Sequence, residues 1–124
     1  MGEAANFGSW SPAVDEILST GERLTALGSW NWVLSKAAAL EAVRRIGDLG
    51  VGILGGDVYR REGAELVFDY AGWHSDPRPE EPASDSIARS IGEAAGYISA
   101  YPNEAAMFSL VPNLERRQTT GVDP

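Results

Sequence analysis

Val51-Gly52-Ile53-Leu54-Gly55-Gly56-Asp57-Val58-Tyr59-Arg60 is an apolar run that breaks at a glycine pair and resumes with polar and apolar residues alternating. Val51–Leu54 reads as the start of a strand. A phosphate-binding loop is one reading of Gly55-Gly56-Asp57, because glycines let backbone amides close on an anion. No Gly-Lys-Ser/Thr follows, however, no helix opens behind the pair, and Asp57 would repel phosphate. A bulge or tight bend inside a strand accounts better for the two glycines, so Gly55 and Gly56 are assigned to backbone shape. Asp57 then either bonds the local backbone or points outward as a contact. Arg61-Glu62-Gly63-Ala64 has turn chemistry, and Glu65–Tyr70 returns as a second strand, so the stretch predicts a hairpin.

Upstream, Ser35 is placed to cap a helix running to about Leu49, with Gly50 at the C′ position. Leu40, Val43, Ile46 and Leu49 recur every three residues and, with Ala39, predict its buried stripe. Glu41 with Arg45, and Arg44 with Asp48, predict ion pairs on its wet side. Pro12 after Ser11 starts a shorter helix that Gly21 ends or interrupts. Leu27–Leu34 reads as a loop leading into a short extended stretch. Downstream, Trp73–Pro82 holds three prolines and reads as a loop ending at a cap on Ser84 or Ser86. Ile87, Ile91, Ala94, Ile98 and Tyr101 then form the clearest helical stripe, stopped by Pro102. Ala106–Val111 is a third strand. The fold class is α+β: a small antiparallel or mixed sheet of about three or four strands, packed against two to three helices. One domain is expected over residues 1–112, followed by a polar, flexible tail over 113–124.

The 124 residues carry eighteen acidic and ten basic side chains, a net charge of −8. Such a chain repels phosphate backbones, so direct nucleic-acid binding is not expected. The doublets Arg44-Arg45, Arg60-Arg61 and Arg116-Arg117 lie apart, with acidic neighbours, and read as solvated surface. No apolar run approaches a membrane span. Met1–Asn6 carries neither a basic cluster nor an apolar h-region, so no secretory signal is read there. Cysteine is absent, which removes disulfides and thiolate chemistry and suits a cytoplasmic location. An acidic surface steers basic partners, although acidity for solubility alone is the simpler account.

Enzymatic chemistry finds no support. His74 is the single histidine, and with Asp57, Asp69, Asp76 and Glu80 it would make a metal-dependent hydrolase only on an unrecognised ligand spacing. A Ser75 or Ser84, His74, Asp57 triad lacks a nucleophile elbow. Glu80-Glu81 sits on a proline-flanked loop, a poor place to hold an acid and a base at fixed separation. No metal or other cofactor is expected. Of the four tryptophans, Trp30 and Trp32 read as core. Trp73 is balanced between core and interface, because an aromatic beside an acidic loop has the composition of a binding surface.

Ala37-Ala38-Ala39-Leu40-Glu41-Ala42-Val43, followed by Gly50–Tyr59, resembles the immunity protein 40 family of bacterial polymorphic toxin systems. The resemblance continues through Trp73, Ser90 and Tyr97-Ile98 to Tyr101 and Phe108, covering about Asn31 to Val111. Its most specific part is Ile53–Tyr59. The family pattern carries an asparagine before the tryptophan, where Gly72 stands here. The resemblance implies an intracellular antidote that binds the toxic domain of a cognate secreted toxin. Where that toxin is a nuclease, an acidic partner suits its basic cleft. The expected contacts are Asp57, Tyr59, Trp73, Asp76, Glu80 and Glu81, with no membrane partner. The alternative is a small-molecule or peptide-binding module with a pocket between sheet and helices near Trp73.

Overall fold

All of the Val51–Arg60 stretch except Val51 folds within one long strand in the computed structural model, which describes residues 10–27 and 30–114. The elements in chain order are α1 (Pro12–Leu18), β1 (Glu22–Arg23), a 3-10 turn (Thr25–Leu27), β2 (Trp32–Ser35), α2 (Lys36–Asp48), β3 (Gly52–Glu62), β4 (Glu65–His74), α3 (Ala83–Ala100) and β5 (Met107–Asn113). The five strands form one antiparallel sheet in the order β1-β2-β5-β3-β4. The α+β expectation holds, with five strands rather than three or four. The surplus comes from β1 and β2, of two and four residues. β2 is the short extended stretch anticipated before Ser35, whereas a two-residue strand such as β1 carries no alternation and only its pairing makes it visible. The third strand continues past Val111 to Asn113, which pairs with Gly52. Asn113, expected as the first residue of the tail, therefore belongs to the sheet, and 115–124 lie outside the described residues.

Strand β2 runs straight into α2, where the Ser35 hydroxyl accepts from the Ala38 amide as a cap. The buried face of α2 is Ala39, Ala42, Val43 and Ile46, whereas Leu49 is 46% exposed. Three-residue steps fall short of a 3.6-residue turn, so a stripe read that way drifts around the helix, and Leu49 ends on the far side from Leu40. Arg44 takes both acidic partners, Glu41 at 2.6 Å and Asp48 at 3.0 Å, so Glu41 pairs with Arg44 rather than with the expected Arg45. Gly50 adopts φ +77°, the left-handed C′ geometry. Helix α3 begins at Ala83 behind Pro82, without a side-chain cap, so neither Ser84 nor Ser86 serves as one.

Helices α2 and α3 pack on each other and over β5 and β3, and α1 packs on α2 and β2. One apolar cluster joins Val14, Ile17 and Leu18 of α1, Val43 and Ile46 of α2 and Ala94 and Ile98 of α3. From the sheet it takes Leu34, Ile53, Val58, Phe108 and Leu110. Successive strand residues point to opposite sides, so Asp57 and Tyr59, flanking the fully buried Val58, lie on the face without helices.

Two irregularities shape β3 and β4. Pairing of β3 with β5 shifts between Ile53 and Gly55, so the bulge expected at the glycine pair falls one residue earlier, at Leu54-Gly55. The Ile53 amide, next to that shift, donates instead to the buried Ser90 hydroxyl of α3 at 3.0 Å. Further along, Asp57 pairs with Gly72 and Tyr59 with Phe68, so Val58 alone stands against Asp69, Tyr70 and Ala71. Edge strand β4 therefore bulges at Tyr70, whose φ is 56°. The hairpin itself closes at Gly63-Ala64, with Gly63 at φ +64°.

Candidate functional site

The glycine pair makes room for Trp73. Gly56 lies between Trp73 of β4 and Leu110 of β5. A Cβ on Gly56 would stand 2.1 Å from the Ser109 carbonyl oxygen and 2.5 Å from Trp73 Cη2, so the indole occupies the place a side chain would take. On Gly55 it would stand 2.1 Å from the Trp73 carbonyl. Gly72 is equally close-packed: a Cβ there would meet the Gly56 carbonyl at 2.5 Å and an Asp57 carboxylate oxygen at 2.9 Å.

Trp73 itself is directed to the helix side. Its ring stacks on Tyr97 with centroids 4.9 Å apart, and the aromatic row continues through Tyr101 at 5.9 Å to Phe108 at 5.8 Å. These rings pack between the sheet and α3, the region in which the alternative expectation placed a pocket near Trp73. The indole Nε1 is buried without a hydrogen-bond partner among the described residues. Beside the row, the Tyr101 hydroxyl donates to Asp69, whose other oxygen takes Arg60 at 2.7 Å. The Tyr101 bond, then Arg60, holds the Asp69 carboxyl below its ordinary range. In turn, the bond to Asp69, together with burial, pushes Tyr101 up to about 12.

The proline-rich loop after β4 is pinned to α3. Arg89 donates to Glu81 through Nε at 2.8 Å and Nη2 at 2.9 Å, and Nη2 also reaches the Asp76 carbonyl at 2.9 Å. Glu93 accepts from the Ser75 hydroxyl and from Arg89. The hydrogen bonds from Arg89 bring the Glu81 carboxyl down to about 2. This is a forked, charge-assisted pair, and it engages both oxygens of Glu81.

The remaining anticipated residues face solvent. Asp57, Asp76 and Glu80 are exposed, and none of their carboxylates forms an ion pair among the described residues. Asp57 and Asp76 come together at a hollow of about 280 Å³, with Leu54, Gly55, Gly56, Trp73, His74 and Val111 completing its lining. That volume lies just below the usual range for small-molecule sites. Among the described residues no group of three or more His, Asp or Glu side chains is placed to hold a metal ion. Tyr59 sits half-buried on the bare face, its hydroxyl held above the ordinary tyrosine value by burial and by the charge of Asp57.

Two residues of this face went unmarked in the sequence. Phe68 packs against Tyr59 at 5.7 Å, and Tyr70 against Phe68 at 4.9 Å, extending one aromatic patch along β4. Their period-two spacing with Leu66, out of phase with Val67, Asp69 and Ala71, is the signal that could have found them. At the hairpin end the face is bridged by Arg61 and Glu22, 2.6 Å apart.

These features define an α+β domain with helices on one side of an antiparallel sheet and an aromatic and acidic surface on the other. The chain belongs to the Immunity protein 40 family, whose model matches residues 23–112, from within β1 almost to the end of β5. No curated protein matches the chain.

Proposed function

We propose that this protein neutralises a cognate secreted toxin by binding its toxic domain and covering the active site or an adjacent surface. Membership of an immunity family supports the class of function. The observation that carries the surface assignment is the helix-free sheet face, where Tyr59 lies beside the exposed carboxylate of Asp57. A protein of net charge −8 attracts a cationic partner from a distance, and a nuclease with a basic cleft fits that description.

In this reading Asp57, Tyr59 and Asp76 touch the toxin, and Glu80 lies at the rim. Glu81 holds the loop through Arg89, and Trp73 supports the face from behind, so both act by positioning. Gly55 and Gly56 shape the backbone. The protein works by stoichiometric binding in the cytoplasm, without catalysis or a cofactor. Nuclease–immunity pairs reach Kd values of ~10⁻¹³ M, and an interface of roughly 1,600 Å² is expected. The test is the activity of the toxin's C-terminal domain, encoded beside this chain, titrated with the purified protein. Inhibition should saturate at equimolar ratio; full toxin activity at several-fold excess of this protein refutes the proposal.

A further inference from the structure

Tyr70 is 86% exposed and is the only non-glycine residue with positive φ among the described residues. Left-handed geometry is costly for an aromatic residue and natural for glycine or asparagine. A bulge on an edge strand is useful in itself, because it discourages pairing with another chain. That purpose would be served at less cost by glycine or asparagine, so it does not explain a tyrosine. Nor does internal packing: the ring touches Phe68 at 4.9 Å, and its hydroxyl makes no hydrogen bond among the described residues. Phe68 is itself 39% exposed. What the bulge achieves is to push a large ring outward at the end of the Tyr59–Phe68 row, on the face that carries the exposed Asp57.

We infer that Tyr70, backed by Phe68, is the anchor through which this face grips a lysine- or arginine-bearing surface of the toxin domain. The inference rests on the toxin-binding reading above and adds the residue that carries it. Ring faces attract cations, and a carboxylate alongside adds charge pairing. Exposed tyrosines held in a fixed direction are typical of the few residues that dominate an interface. Strained backbone kept at an exposed position is a signature of function rather than of folding.

The experiment compares wild type, Tyr70→Asn and Tyr70→Phe for calorimetric affinity to the toxin's C-terminal domain, with thermal melting and sedimentation in parallel. Asparagine tolerates the left-handed conformation, so Tyr70→Asn should melt at or above the wild-type temperature while binding at least about 30-fold more weakly. Tyr70→Phe should bind within about threefold of wild type. Unchanged affinity of Tyr70→Asn, with wild type still inhibiting, overturns this inference and leaves the toxin reading standing. A fall of several degrees in melting temperature overturns it as well, since the ring would then be structural. A wild-type dimer that Tyr70→Asn dissociates overturns it in favour of a second copy as occupant. Wild type that does not bind the toxin domain at all overturns both readings.

Discussion

Replacing Ser90 by alanine isolates one bond that joins α3 to the bulged strand. The hydroxyl accepts from the Ile53 amide at 3.0 Å and donates to the Ile87 carbonyl at 2.9 Å, and Ser90 is only 3% exposed. Ser90→Ala removes one atom and changes the packing little, but it leaves the Ile53 amide unpaired where the ladder to β5 shifts. An unsatisfied buried donor costs ~1–3 kcal/mol. For a domain of this size each kcal/mol lowers Tm by about 3–5 °C, so a fall of roughly 3–15 °C is expected. Thermal melting measures the total, and hydrogen exchange at the Ile53 amide locates it. Protection there should fall more than at Val58, in the middle of the same strand. A coupled change sharpens the test. A Cβ on Gly52 would meet the Ser90 oxygen at 3.0 Å and nothing else nearer than 3.6 Å. Gly52→Ala should therefore cost less in the Ser90→Ala background than in wild type. An unchanged Tm together with unchanged Ile53 protection would refute the role assigned to this hydroxyl.

Gly56→Ala should destabilise by more than about 3 kcal/mol or prevent folding, because the clash at 2.1 Å is with backbone; melting temperature or soluble yield reads it. Trp73→Phe should shift Tm by less than about 4 °C, since the lost ring area is offset by removal of an orphaned N–H, whereas Trp73→Ala should cost ~3 kcal/mol or more. The Glu81 carboxyl lies near 2 in the folded chain against an ordinary 4.5, so its pairing with Arg89 stabilises fully above about pH 4.5 and is lost as pH falls toward 2. Urea midpoints measured from pH 6 to pH 2 should therefore fall less steeply for Glu81→Gln than for wild type.

Several parts of the fold were legible because their signals are local. The Ser35 cap, the Gly50 terminator, the Gly63-Ala64 turn and the Ile87-to-Tyr101 stripe each follow from rules acting within one or two helical turns or a tight loop. A bulge beside the glycine pair was also readable, since two glycines inside a strand leave few other structural accounts, but it falls at Leu54-Gly55. The two-residue β1 was not, because it exists only through its pairing with Val33 and Trp32. The β4 bulge was equally invisible, because nothing in Asp69-Tyr70-Ala71 announces a break until β3 is laid against it.

The site divides along the same line. The acidic balance, the run of aromatic residues and the loop carboxylates are properties of composition, and they could be read without a fold. Which of those groups remain available to a partner is a matter of three-dimensional neighbours. Glu81 and Asp76 are five positions apart on the same acidic loop, yet Arg89, arriving from α3, engages the side chain of Glu81 and takes only the backbone carbonyl of Asp76. Trp73 and Tyr70 sit three residues apart on β4, yet Tyr97 covers one ring and the bulge projects the other into solvent. Chain chemistry set the inventory of charges and rings. Only the crossing of α3 over β3 and β4 decided which of them turn inward, because burial and pairing depend on residues distant in sequence.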